Sequence, residues 1–155
     1  MTPDARFRIG VFALIDDGDR VLLARRRDSG WWNLPGGGME LGETVDEALA
    51  REVAEETGLQ VRVDRLVGVY SKPQADEVVL TFACSVQGGT LAPTEESSEF
   101  GWYAPAAVPE RTLPKHAERI VDWAGHVREA IVKAQRAPTL RYEADPHPLP
   151  SSRVR

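Results

Sequence analysis

The chain has 155 residues, enough for one domain with a sizeable core, and an ordinary globular composition. Its net charge of −5 argues against nonspecific nucleic-acid binding, which uses a basic face. One cysteine rules out an internal disulfide and points to a reducing compartment; with no signal-peptide core and no membrane-length apolar run, a cytoplasmic, non-membrane protein is expected.

Phe7, Ile9, Val11, Ala13 and Ile15 alternate and predict a strand. Turn chemistry at Asp16-Asp17-Gly18-Asp19 and a second apolar run from Val21 predict a hairpin over 7–27. Thr44 and Glu47 form a capping box that starts a helix near Val45. Val45, Ala48, Leu49 and Val53 give it an apolar stripe, and Gly58 supplies a left-handed stop. Strands follow over 59–70, 78–86 and 99–103, with a turn at Gly88-Gly89. Ala117, Ile120, Val121, Ala124, Val127, Ile131 and Ala134 fit one long amphipathic helix over 115–136. Four prolines in 137–155 predict an extended or disordered tail beyond a domain of residues 1–136. The order predicts an α/β/α sandwich, a mixed sheet between helices.

The stretch 37–59 carries most of the chemistry. A glycine-rich turn runs into a helix bearing Glu52, Glu55 and Glu56, which share one face at i, i+3 and i+4. Three such carboxylates repel one another unless a cation neutralises them. Hard divalent cations prefer oxygen ligands, so Mg²⁺ or Mn²⁺ is the expected partner. Acidic helix faces are commonly just solvated; the preceding Gly36-Gly37-Gly38 run, which permits close main-chain approach, favours a site.

This stretch resembles the signature of Nudix hydrolases, G-x5-E-x7-R-E-U-x-E-E-x-G-U with U a bulky aliphatic residue. Gly37, Glu43, Arg51, Glu52, Val53, Glu55, Glu56, Gly58 and Leu59 match every fixed position. The resemblance extends more loosely over about residues 5–135. It implies metal-dependent cleavage of a phosphoanhydride in a small nucleotide. Glu52, Glu55 and Glu56 would hold the metal, with the Gly37 carbonyl as a further ligand. Glu43 and Arg51 would pair and support the loop. Catalytic candidates are Glu55, Glu56 and Glu99, since family members often carry a glutamate shortly before a tryptophan such as Trp102. Glu95 and Glu96 are read as equally compatible with a solvated loop.

Of Arg25, Arg26 and Arg27, at most two point the same way along a strand; Arg26 is the phosphate-binding candidate. Tyr70, Trp102 and Tyr103 are stacking candidates for a base, and Tyr70 is the substrate-binding choice, although such aromatics more often pack in a core or rim. The histidines are assigned no chemistry. The favoured substrate is of ADP-ribose or nucleotide-sugar type, on the resemblance implied by Pro73 past the motif. Nucleoside triphosphate hydrolysis and a noncatalytic nucleotide-sensing module are the alternatives. A homodimer is left open.

Overall fold

A computed structural model describes residues 6–125 and 128–136. Strands β1 (Arg8–Ile15), β2 (Val21–Arg26), β3 (Trp32–Asn33) and β4 (Gly36–Gly38) precede helix α1 (Val45–Thr57). Strands β5 (Leu59–Lys72), β6 (Glu77–Gly89) and β7 (Ser97–Tyr103), helix α2 (Pro114–Ala124) and strand β8 (Ile131–Ala134) complete the order. Five strands make a mixed sheet in the order β4-β1-β6-β5-β8, and three make a second sheet in the order β3-β2-β7. No described helix is long and apolar enough to cross a membrane.

β1 is buried on both faces, and its alternation feeds two cores. Phe12 and Leu14 join Val21, Leu23, Trp32, Ile120 and Trp123 on the α2 side. Val11, Ala13 and Ile15 join Leu22, Ala48, Leu49 and Val53 on the α1 side. The result is the expected α/β/α sandwich.

Three sequence expectations change. Residues 7–27 do not form a simple hairpin. β1 and β2 form no ladder with each other; an isolated Asp16–Val21 bridge closes the turn between them, and they enter different sheets. β1 takes β6 and β4 as partners, while β2 takes β7 and β3. The helix expected over 115–136 ends at Gly125, whose N–H caps the Val121 carbonyl at 3.0 Å. The chain then returns as β8, parallel to β5. Ile131 and Val132 suit that strand because β-branched side chains pack well on a pleated surface. Gly88 and Gly89 continue β6 and pair with Gln60 and Leu59. The expected tail over 137–155 lies outside the described residues, as do His126 and His147.

Both ends of α1 form as the sequence predicts. Thr44 Oγ1 accepts the Glu47 N–H, and Gly58 adopts φ 80° with its N–H on the Ala54 carbonyl. These caps fix where the acidic face begins and ends, and Ala48, Leu49 and Val53 fix which way the helix is turned.

Candidate active site

β4 lies antiparallel to β1 and in contact with α1, so the glycine run faces the acidic helix. Gly36 admits no side chain, since a Cβ there would sit 2.2 Å from the Val11 carbonyl oxygen. Its N–H donates to Oε2 of Glu56 at 2.7 Å. Gly37 lies flat against Glu52, where a Cβ would fall 2.7 Å from the carboxylate carbon and both oxygens. The glycines therefore bring main chain against two carboxylates that are almost completely buried.

Arg51 joins helix and loop. Its Nε donates to Glu43 Oε2 at 2.7 Å and its Nη2 to Glu43 Oε1 at 2.9 Å, a planar fork on one carboxylate. Nη1 reaches Glu52 at 2.9 Å and Glu55 at 3.4 Å, and Nη2 reaches the Gly38 carbonyl at 3.1 Å. Bonding to Glu43, helped by Glu52, holds the guanidinium pKa above its ordinary value. Glu43 also accepts the Glu40 N–H at 2.7 Å.

Gly38, Glu40 and Arg51 border a cavity of about 520 Å³, within the range that suits a small-molecule ligand, whereas Gly36, Gly37 and Glu43 stand behind its wall. Glu52, Glu55 and Glu56 line it, with Arg26, Arg27 and Arg51. Glu95, Glu96 and Ser97 form another part of its wall. Three carboxylates on one helix face supply hard oxygen donors of the kind a divalent cation takes. Among the described residues, no three acidic, histidine or cysteine side chains are already gathered as a metal cage. Glu52 and Glu55 instead bond to Arg51, and Glu56 bonds to Gly36.

Arg26 lines the cavity beside Arg27 and pairs with Asp28, which holds the Asp28 carboxyl below its usual range. Arg25 points elsewhere, to Glu99 at 2.7 Å. Glu99 lies outside the cavity wall, because alternation along β7 sets its side chain opposite that of Phe100. Phe100 and Trp102 pack toward the α1 core, whereas Tyr103 packs toward the α2 core. A register shift at Arg25/Arg26 then brings Arg26 opposite Ser97, both on the cavity. In that segment, Glu95 and Glu96 reach the site and Glu99 does not.

Tyr70 is likewise not at the site. It is fully buried in the α2 core, and its hydroxyl donates to Asp122 at 2.9 Å. Burial, then the bond to Asp122, raises its pKa. The core packing weighed against stacking for such aromatics is the one Tyr70 adopts.

Sequence reasoning missed two contacts. His116, buried on α2, accepts the Leu34 N–H on Nδ1 at 3.0 Å and so holds the lead-in to the glycine run from behind. Arg27 Nε donates to the Thr94 carbonyl at 2.6 Å. Neither carries a motif; only the fold brings them together.

Comparison with known proteins identifies the family. The family model for the NUDIX domain matches residues 5–124. A MutT-like protein of Streptomyces ambofaciens is 45% identical over 107 residues, 69% of this chain and 69% of its own. A putative 8-oxo-dGTP diphosphatase of Bacillus subtilis is 31% identical over 125 residues, 79% of this chain and 84% of its own. An ADP-ribose pyrophosphatase of Methanocaldococcus jannaschii is 39% identical over 98 residues, 59% of this chain and 58% of its own. In fold, the chain resembles a NUDIX hydrolase from Nitrosomonas europaea, with a TM-score of 0.77, 23% identity and coverage of 85% of this chain and 80% of that one. A glycine turn packed on an acidic helix, an Arg51–Glu43 fork and a family match over most of the chain lead to one assignment: this protein belongs to the Nudix hydrolase family.

Proposed function

We propose that this protein hydrolyses a phosphoanhydride bond in a small nucleotide, using a divalent cation, Mg²⁺ or Mn²⁺, held by Glu52, Glu55 and Glu56. The observation that carries the reading is one cavity lined by those carboxylates together with Arg26 and Arg27. The donor set fits such a cation, because it is all oxygen and lies on one helix face. Bound there, the cation would neutralise charge on the diphosphate and make water a better nucleophile. Gly37 remains a candidate main-chain ligand.

The residues supply the rest. Arg26 and Arg27 are cationic forks that suit phosphate oxygens and orient the diphosphate. Arg51 and Glu43 keep the loop and helix in register. A water oxygen bonds to phosphorus and the bridging P–O bond breaks. The leaving phosphate takes the electron pair, and a carboxylate takes the proton of the water. Glu95 and Glu96 are the candidates for that carboxylate outside the helix.

For the substrate, the ADP-ribose or nucleotide-sugar type stays first, supported by the name of the Methanocaldococcus relative. The name of the Bacillus relative supports nucleoside triphosphates as the second reading. Pro73 lends the first no support, since it opens the short turn between β5 and β6 and does not line the cavity. The test is a panel of ADP-ribose, nucleotide sugars and canonical and oxidised nucleoside triphosphates, with Mg²⁺ or Mn²⁺ and product identification. Cation-dependent release of a nucleoside monophosphate is expected. No turnover of any member with either cation would overturn the reading.

A further inference from the structure

We infer that Thr94 is a positioning residue that sets Glu96 against the acidic helix for the hydrolysis proposed above, on which this inference rests. Thr94 lies in the loop before β7, and its hydroxyl makes three hydrogen bonds. Oγ1 donates to the main-chain carbonyl of Glu56 at 3.2 Å. It accepts the N–H of Glu96 at 3.3 Å and of Ser97 at 3.1 Å. A hydroxyl has one donor and two acceptor sites, so all three are used.

Other bonds close the same turn. The Thr94 N–H donates to the Ser97 carbonyl at 3.0 Å, and the Arg27 N–H donates to the Glu96 carbonyl at 3.0 Å. Arg27 Nε holds the Thr94 carbonyl. The turn bearing Glu95 and Glu96 is thus fixed between the end of β2 and the last turn of α1. The carbonyls in that last turn lack partners within the helix. Ala92 and Thr90 cap those of Thr57 and Gly58 from the main chain, while Glu56 receives a side chain.

Glu56 is the residue whose carboxylate takes the Gly36 N–H. One residue therefore ties the glycine run to the helix with its side chain, and ties the acidic loop to the helix with its carbonyl. The loop carboxylates and the helix carboxylates are located by a common point. Proton transfer depends on placement at the ångström scale, so loss of that point costs rate more than binding. Val has the shape of Thr without the hydroxyl, and Ser keeps the hydroxyl without the methyl group.

The experiment compares wild type, Thr94→Val, Thr94→Ser, Glu96→Gln and the Thr94→Val/Glu96→Gln double variant on the best substrate of the panel. Thr94→Ala serves as a second hydroxyl deletion if the valine variant folds poorly. Thr94→Val is expected to lower kcat about tenfold with KM within about twofold, and Thr94→Ser to stay within about threefold of wild type. In the Glu96→Gln background, Thr94→Val should cost less than about twofold, because displacing a disabled group changes little. Amide hydrogen exchange at Glu96 and Ser97 should quicken in Thr94→Val and not in Thr94→Ser. The inference is overturned if Thr94→Val turns over at the wild-type rate, if its full cost persists beside Glu96→Gln, or if exchange at both amides is unchanged. Absence of hydrolysis by the wild type would instead overturn the proposed function itself, and this inference with it.

Discussion

The Gly36 N–H donates to Glu56 Oε2 at 2.7 Å, and that bond joins the glycine run directly to the acidic helix. It gives Glu56 two separable roles, since the carboxylate both accepts a main-chain N–H and supplies charge. Glutamine can accept the same N–H but carries no charge. Glu56→Gln should therefore keep its melting temperature within about 3 °C and lose at least about a hundredfold in kcat, because the proposed cation would lose a charged ligand. Glu55→Gln, on the more exposed turn, should fall by a similar factor with no loss of stability. Near-normal turnover of both variants at saturating Mg²⁺ would remove the helix carboxylates from the mechanism.

The acidic segment before Trp102 gives the second contrast. Glu99 pairs with Arg25 on the face away from the cavity, and both side chains are about half exposed. Exposed pairs contribute about 0–1 kcal/mol, so Glu99→Gln should change neither stability nor kcat by much. Glu96→Gln should lower kcat by tenfold or more, on the order expected for a lost general base. Steady-state kinetics on the two variants decides the matter. A large kcat defect confined to Glu99→Gln would mean that β7 presents the other face to substrate.

That contrast shows what could be read from the sequence and what could not. Gly37, Glu43, Arg51 and the helix glutamates sit at fixed spacings in one local segment, and local spacing is enough to place them on a shared turn and helix face. The caps at Thr44 and Gly58 are local for the same reason. Glu99 and Tyr70 lie off the cavity wall, and the sequence could not show it, because strand alternation says which residues share a face but not which face meets the site. A single register shift between Arg25 and Arg26 changes which residues of the neighbouring segment reach the cavity. The 7–27 segment shows the same limit at larger scale, since β1 and β2 find their long partners, β6 and β7, far along the chain. The helix expected over 115–136 failed differently. Ile131 and Ala134 continue a helical period by chance, and Gly125 gave the only punctuation.

Arg51 offers a third test. Arg51→Gln removes the fork from the partly buried Glu43 and the guanidinium that lies 2.9 Å from Glu52 and 3.4 Å from Glu55. A loss of about 2 kcal/mol in stability is expected without added metal, reduced from the fully buried case by partial exposure. Lysine keeps the charge but not the planar fork, so Arg51→Lys should recover only part of it. Saturating Mg²⁺ should narrow the gap to wild type, because a cation bound by the helix glutamates relieves the same repulsion. Chemical denaturation with and without Mg²⁺ measures both effects. An equal gap in the two conditions would mean that Arg51 and the cation do not share carboxylates.

The last prediction concerns Cys84, which is fully buried in the α1 core. Burial, followed by the nearby charges of Asp64 and Asp16, pushes its thiol from 9.0 up to about 12. The thiolate is the reactive form, so a maleimide or disulfide reagent at pH 8 should label the native protein far more slowly than the denatured chain. The same shift fixes the alkaline behaviour. Between pH 9 and about 12 the unfolded thiol has lost its proton while the folded thiol keeps it. The native state then binds more protons than the unfolded state, and stability falls as pH rises. Below pH 9 both states hold the proton, and Cys84 adds no pH dependence. Cys84→Ala removes this contribution, although it leaves a small cavity that costs about 1 kcal/mol at neutral pH. The stability advantage of wild type over Cys84→Ala should therefore shrink as pH rises from 9 to 11, while the slopes from other titrating groups cancel in the comparison. Parallel melting curves across that range, or rapid labelling of the native thiol at pH 8, would show that Cys84 is not sealed in the core.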